Sequence, residues 1–556
     1  MPNVVDTIVP NTPAFRAYAA TRPYIKIGAE IDGGAWYIVY LPEGRLFDFA
    51  KDLHLSTIRI SSRICGLLGK SALISSGILQ VQQRPYLDLK GRGVLLGFID
   101  TGIDYTHNAF RYEDGTSKIA AIWDQTAQNI AGSEVFVGRE YSQEDINEAL
   151  KAENPLDILP HRDTVGHGTF LASVAASREE GDYLGAAPDS EIIMVKLRKA
   201  KDFYLRRYNV PPEQENAYSS SDILLGIKYL SNKAAQLNRP LSICMSTGTT
   251  LGSHDGVGVQ EEFLSSLGRG PGIGVCVAAG NEANTKRHTQ GKLTKEGDVV
   301  PVEIRVGENV PSATAYIWSL PQDSVYLSVK SPTGEIVMRQ VTFREEFYSQ
   351  RLVLEKSTVN INYFFPTGGS GNDLIELIID HPTPGIWTAS VHGNVILDGV
   401  FHAWMPLTGF ISDQVEFTMP NPNYTIVQPG TALGVITCGA YNPKNNSLYP
   451  ASSWGPTRSP IISPELTAPG VDVQGIYPTG YGEMSGTSVA SAITAGAAAL
   501  MLQWGVVDGN YPILDNLRIR SFLVQGCARD TNVTYPNDQW GYGRLDLMQT
   551  FNILRG

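Results

Sequence analysis

Apolar residues in this chain gather into short continuous runs separated by amphipathic stretches. Val94–Ile99 (VLLGFI), Glu191–Val195 (EIIMV), Leu241–Met245 (LSICM) and Gly274–Ala278 (GVCVA) are four such runs, and each predicts a buried strand. Helical spacing of apolar positions falls between them, as in Ser221–Asn232. Strand-helix alternation over residues 71–291 predicts a mainly parallel sheet with helices on both faces. From about residue 292 the pattern changes to short alternating strands: VPVEIRV, SVYLSV, LIELII and WTASVHG. Turn sequences such as Ser331-Pro332-Thr333-Gly334 and Thr383-Pro384-Gly385 separate them, so residues 292–430 read as a β-sandwich or jelly roll. The run GVITCGAYN restores the α/β pattern over 431–556, which makes the β module an insertion into one α/β domain. Ahead of all this, residues 1–70 hold a strand candidate at Trp36–Leu41, a helix candidate at Leu46–Leu53 and a second strand candidate at Ser56–Ser61. They form a small α/β unit of their own.

One stretch tests the distinction between core and membrane. Ser488 to Val507 (SVASAITAGAAALMLQWGVV) is nearly uncharged and about long enough to cross a bilayer. Ala, Gly, Ser and Thr dominate it rather than Leu and Ile, so a small-residue helix inside a large protein is expected, not a membrane span. A chain of 556 residues is too long for one ordinary core, and two or three domains are expected. The formal charge of −12 argues against nucleic acid or an anionic membrane as partner, because phosphate binding needs a basic stripe. The short run Lys196, Arg198, Lys199 and Lys201 reads as a solvated loop. Five scattered cysteines, Cys65, Cys244, Cys276, Cys438 and Cys527, do not make a disulfide framework and fit a reducing compartment. The N-terminal MPNVVDTIVPNTPAF has neither a basic segment nor an apolar one, so no signal peptide is seen and a cytoplasmic or spore location is expected.

Four residues stand where serine-nucleophile chemistry needs them. Such chemistry requires a base to take the hydroxyl proton, an acid to fix the base's tautomer, and donors for the oxyanion. Asp100 follows the apolar run VLLGFI. A carboxylate at a buried strand end is rigid and partly desolvated, although a turn or N-cap Asp would look the same alone. His167 lies between Gly166 and Gly168 at the start of a small-residue helical run, where other segments can approach the imidazole. A metal reading of His161, Asp163 and His167 competes, but the spacing is not of the HExxH kind. Ser488 follows Gly486-Thr487 at the head of the Ala-rich helix, whose free N–H groups favour a developing oxyanion. Asn281 follows the run GVCVAAG, and its amide can donate to the oxyanion opposite the Ser488 backbone N–H. A plain N-cap Ser and a turn Asn are the alternatives at these two positions.

Together the segment around Asp100, Gly-His-Gly-Thr at 166–169, Ala-Ala-Gly-Asn at 278–281 and Gly-Thr-Ser at 486–488 resemble the subtilase signatures, in the order Asp, His, Ser. The resemblance covers roughly 71–290 and 431–550. It implies a subtilisin-like fold and a serine endopeptidase with catalytic Asp100, His167 and Ser488. It also implies an oxyanion-hole role for Asn281, substrate pairing along Ser246-Thr247-Gly248, and protein or peptide substrates. Phe170 and Val489-Ala490-Ser491-Ala492 depart from the common pattern without removing a proton-transfer group. The segment 76–110 and Gly252-Ser253-His254-Asp255-Gly256 resemble the clostridial germination-protease (Csp) branch. That branch carries an inserted jelly roll, lacks an export signal and cleaves the precursor of a spore cortex hydrolase. By the same resemblance residues 1–70 are a propeptide that stays bound as an intramolecular inhibitor, and self-cleavage falls near Lys70–Ser71. No cofactor is implied. Calcium stabilises many subtilases, but no ligand set can be assigned here. The branch also contains members that lost triad residues and act as sensors, which leaves a catalytically silent or weak binding protein as the alternative function.

Overall fold

The structure, a computed structural model, describes residues 4–31, 36–53, 71–129, 135, 137–181, 183–339, 346–367, 370–459 and 461–555. The predicted strand at Ser56–Ser61, together with Cys65 and Lys70, lies outside the described residues. The chain divides into two compact units, Met1–Leu68 and Gly69–Gly556.

In the first unit, β1 (Val4–Pro10), β2 (Lys26–Ile31) and β3 (Trp36–Pro42) form an antiparallel sheet in the order β1-β3-β2. It carries two helices, α1 (Pro13–Ala20) and α2 (Leu46–Asp52). Thr12 starts α1 by accepting the Phe15 N–H, with Pro13 in the first turn, where its missing N–H is harmless. Phe15, Val39, Leu41 and Phe49 close a core of this unit's own.

The second unit is built on an eight-stranded sheet in the order β22-β21-β9-β8-β4-β7-β5-β6. Its strands are β4 (Leu95–Asp100), β5 (Ile119–Asp124), β6 (Arg139–Ser142), β7 (Glu191–Lys196), β8 (Leu241–Met245), β9 (Ile273–Ala278), β21 (Ile436–Tyr441) and β22 (Leu466–Pro469). All neighbours are parallel except β5 and β6. Alternation along β4 splits the core in two. Leu96 and Phe98 face α3 (His167–Ala176), and Leu95 and Ile99 face the cluster that holds Ile223, Ile227 and Leu230. Those three residues belong to α5 (Ser220–Gln236), and a short α4 (Asp202–Arg207) precedes it. The membrane-length stretch is α6 (Thr487–Leu502), continued as one π turn to Val507. Of an 18-residue apolar window within Thr487–Val507, 89% is buried inside the protein. Small residues permit this: a Cβ on Gly496 would stand 2.4 Å from Ala186 Cβ.

The interval between β9 and β21 folds as two facing antiparallel sheets. One has the order β10-β19-β12-β17-β16-β15 and the other β14-β13-β18-β11-β20. They comprise β10 (His288–Lys292), β11 (Val299–Val306), β12 (Ser312–Ser319), β13 (Ser324–Lys330), β14 (Ile336–Arg339), β15 (Glu346–Arg351), β16 (Thr358–Phe364), β17 (Asp373–Asp380), β18 (Gly385–Val395), β19 (Val400–Trp404) and β20 (Val415–Phe417). Buried and half-buried residues alternate along β16 and most of β18, as expected of strands with one face on a core, and Trp387, Tyr363 and Phe401 fill the space between the sheets. The first strand begins at His288 rather than near 292. Its sequence HTQGK carries no alternation, and its place is fixed by pairing with β19. The body grips this module through α4: Arg207 makes a bidentate ion pair with Glu376 on β17 at 3.0 and 2.8 Å, and Asn209 Nδ2 donates to Ser312 Oγ at 3.1 Å.

Candidate active site

The carboxyl ends of β4, β8 and β9 converge with the N-termini of α3 and α6, the place where open α/β sheets present chemistry. Asp100 is the last residue of β4. Its carboxylate is almost fully buried and accepts His167 Nδ1–H at 2.8 and 3.0 Å through its two oxygens. The Thr101 N–H donates to Oδ1 at 2.8 Å, and the Ser246 hydroxyl donates to Oδ2. Burial opposes the charge on Asp100, but His167 and these donors outweigh it and hold its pKa below the usual carboxylate value. Burial likewise opposes protonation of His167, and the charge of Asp100, its hydrogen bond and the charge of Asp163 outweigh it, so the imidazole pKa is raised.

His167 is aimed by the turn before it. Asp163 accepts the N–H groups of Val165, Gly166 and Thr169 and the Thr169 hydroxyl, at 2.7 to 3.2 Å. The head of α3 is thereby capped from its own sequence. The Gly168 N–H donates to Thr101 Oγ1 at 2.9 Å, and a Cβ at residue 168 would stand 2.2 Å from the Gly102 carbonyl oxygen. The glycine after the histidine is therefore a packing requirement: it lets α3 sit directly on the turn that carries Asp100.

On the other side, α6 starts at Thr487, so Ser488 stands in its first turn. Ser488 Oγ donates to the Ser246 carbonyl at 3.4 Å, and no hydrogen bond joins it to His167. Asn281 Oδ1 accepts the Thr487 N–H at 3.0 Å and its hydroxyl at 3.2 Å. This fixes the amide and leaves Nδ2, beside Gly486, without an acceptor among the described residues. Thr487 Oγ1 in turn accepts the Gly280 N–H at 3.0 Å. Ser246, Thr247 and Gly248 leave the end of β8 and line a cleft of about 740 Å³ together with Asp100 and His167. Thr249 and Gln428 exchange backbone hydrogen bonds at 2.8 and 2.9 Å behind them. The cleft continues past Tyr204, Tyr208 and Tyr218 to Tyr316, Leu407 and Phe410 of the inserted module.

The subtilase family model matches residues 91–316 and 414–543, which include all four of these positions and exclude most of the sandwich. The chain belongs to the subtilase family of serine proteases. The structure of the CspB protease of Clostridium perfringens superposes with a TM-score of 0.78 at 30% identity, covering 88% of this chain and 98% of that one. A subtilisin-like protease of Arabidopsis thaliana, SBT3.12, is 22% identical over 488 residues, 79% of this chain and 57% of that protein. The PIII-type proteinase of Lactococcus lactis subsp. cremoris is 23% identical over 476 residues, 74% of this chain and 22% of that protein. The chain thus spans little more than half of the plant relative and about a fifth of the lactococcal one.

Within this subtilase site, three expectations find different partners. Ser246, expected on a substrate-pairing strand, also holds Asp100 through its hydroxyl. His161, weighed as a metal ligand, bonds Asp124 Oδ2 at 2.7 Å through Nδ1 and accepts the Ile103 N–H at 3.2 Å through Nε2, so it braces the turn after Asp100. Asp163 is the capping residue described above. Among the described residues no group of three or more His, Cys, Asp or Glu is arranged to hold a metal. Sequence reasoning missed Thr101 altogether, and it weighed Asp163 as a metal ligand rather than as the cap of α3. The signal for Asp163 was present as Asp-x-x-Gly-His, an acceptor three residues ahead of a helix-opening glycine.

Proposed function

We propose that this chain is an endopeptidase in which Ser488 attacks the scissile carbonyl, His167 takes the hydroxyl proton and returns it to the leaving amine, and Asp100 keeps Nδ1 protonated. The observation that carries the reading is the buried Asp100 carboxylate closed on His167 at 2.8 Å, at the sheet end that also receives Ser488. The reading requires the Ser488 hydroxyl to leave the Ser246 carbonyl, which it now meets at 3.4 Å, for the imidazole; catalytic bonds of this kind commonly tighten when substrate binds. The Ser488 N–H and Asn281 Nδ2 would then hold the oxyanion. Substrate backbone is proposed to pair along Ser246-Thr247-Gly248, yielding an acyl-enzyme that water hydrolyses.

Residues 1–70 are proposed to act as a propeptide, cut in cis near Lys70–Ser71 and retained as an intramolecular inhibitor. Supporting this, the chain divides between Leu68 and Gly69, and the first unit has its own core. The likeness to the CspB protease supports placing the enzyme in the germination branch, with a cortex hydrolase precursor as substrate and action inside the cell or spore. The four described cysteines are all free and buried, which agrees with that setting. Expression of wild type and Ser488→Ala tests self-cleavage. Fragments of about 8 and 53 kDa, at roughly 110 Da per residue, should appear in the wild type and not in the variant. An uncut wild type with no peptidase activity would instead favour a sensor.

A further inference from the structure

A second cavity opens beside the cleft, on the face of the inserted sandwich. It holds about 520 Å³ and is walled by Tyr208, Tyr316, Trp318, Phe364, Phe365 and Leu374, with the Arg207–Glu376 ion pair at its edge. Tyr208, Leu251 and Tyr316 line both this cavity and the cleft that contains His167, so the two adjoin. Family membership does not account for it, because Trp318, Phe364, Phe365 and Leu374 lie in the segment outside the subtilase family match.

Trp318 lines this cavity and carries an unmet donor inside its wall. It is 6% exposed, and its indole N–H is buried without an acceptor. Elsewhere in the sandwich, Trp387 Nε1 donates to Thr383 O and Trp404 Nε1 to Tyr424 O, each at 2.9 Å. A buried indole N–H normally finds such a partner, and leaving one unmade costs on the order of 1–3 kcal/mol. Aromatic walls around an orphan N–H match the needs of an extended peptide, which offers side chains to apolar pockets and backbone carbonyls to donors. The wall is also well anchored. Glu376, which also accepts Asn362 Nδ2 at 2.7 Å, clamps Arg207 and with it the helix that carries Tyr208 to the edge.

We propose that this cavity is an extended substrate subsite. It takes one large aromatic residue of the protein substrate, several residues removed from the scissile bond, and Trp318 donates to a backbone carbonyl of the same segment. The inserted module would then select substrates as well as stabilise the fold. This rests on the peptidase reading above, and its test is chosen to stand apart from turnover. Ser488→Ala is titrated by fluorescence anisotropy into labelled peptides of about twelve residues, roughly 40 Å extended; residues 1–70 stay attached in this variant and compete equally with every peptide, so the ratio of affinities between registers is what is read. A single Trp is moved position by position through an Ala background.

One register should bind about tenfold tighter than the all-Ala parent. That gain should vanish when Phe364→Ala is added and shrink when Trp318→Phe is added, while binding of the parent peptide persists in at least one of the two variants. The same affinity for every register would overturn the proposal. So would a gain that survives both substitutions, or a loss that affects parent and Trp peptides equally in both. If wild type neither cuts itself nor cleaves any of these peptides, the peptidase reading fails, yet the register dependence can still be read.

Discussion

Gly168→Ala isolates the contact that joins the histidine helix to the aspartate turn. The new methyl would stand 2.2 Å from the Gly102 carbonyl oxygen and 3.1 Å from Asp100 Cβ. Ordinary contact begins near 3.4 Å, so α3 and the turn must separate by about 1.2 Å, since the obstruction is backbone and has no rotamer to change. His167 Nδ1 now lies 2.8 and 3.0 Å from the two oxygens of Asp100. A displacement of that size takes both past hydrogen-bonding range, and the Gly168 N–H loses Thr101 Oγ1 as well. Misplacement of a catalytic group by about 1 Å costs on the order of 10²-fold in rate, equivalent to about 2.7 kcal/mol of transition-state stabilisation. Overpacking adds a stability loss of about 1–3 kcal/mol. The assay is kcat on a cleaved peptide, normalised to active sites by titration with an acylating inhibitor, with Tm measured alongside. A Gly168→Ala enzyme with wild-type kcat and Tm would refute the claim that this contact sets the His167–Asp100 geometry.

Other perturbations give separable outcomes. Asp100→Asn should lower kcat by about 10⁴ with the fold intact, because Nδ1 loses the acceptor that fixes its tautomer. The rate of the wild type should rise with pH through a His167 pKa above its ordinary 6.5, since the base must be neutral, and in Asp100→Asn that limb should move to lower pH. Because the His167 pKa is raised on folding, the stability it contributes is full below the unfolded value and is lost as pH rises through the folded one; Tm of Ser488→Ala against pH reads this. Asn281→Ala should reduce kcat by about 10²–10³ with little change in KM, a scale measured on subtilisin itself. Arg207→Met strands the buried Glu376 carboxylate and should cost about 3 kcal/mol of stability by chemical denaturation, the lower end for a broken buried pair because Arg207 is itself partly exposed.

The parallel sheet was legible because its central strands are buried on both faces and read as apolar runs. β4, β7, β8 and β9 lie within a residue or so of those runs. Strands at the margins were not legible. β6 (REYS) and β10 (HTQGK) have no apolar period, and only their pairing partners make them strands. The site shows the same division. Asp100, His167, Asn281 and Ser488 announce themselves through the glycines and strand ends beside them, which are local. The bond from the Ser246 hydroxyl to Asp100 joins residues 146 positions apart, and nothing around Ser246 in sequence points to it. The aromatic cavity is invisible for the same reason, since its walls come from α4, β12, β16 and β17.

Ser246 is therefore the residue whose removal separates two ways of building this site. Its hydroxyl holds Asp100 while its carbonyl receives Ser488 Oγ at 3.4 Å, so one residue touches both ends of the proton path through different groups. Ser246→Ala deletes the first contact and keeps the second. Asp100 then retains His167 and the Thr101 N–H, enough to stay ionised, but Oδ2 is free to turn. If the hydroxyl positions the carboxylate, kcat should fall about tenfold, the worth of one charge-assisted hydrogen bond at its lower bound. KM should stay nearly constant, because the backbone of 246–248 is untouched. If Ser246 serves only as a substrate-pairing residue, the backbone suffices and neither constant moves. Equal loss in kcat and gain in KM would contradict both accounts and point to a collapse of the cleft wall, which a lower Tm would reveal.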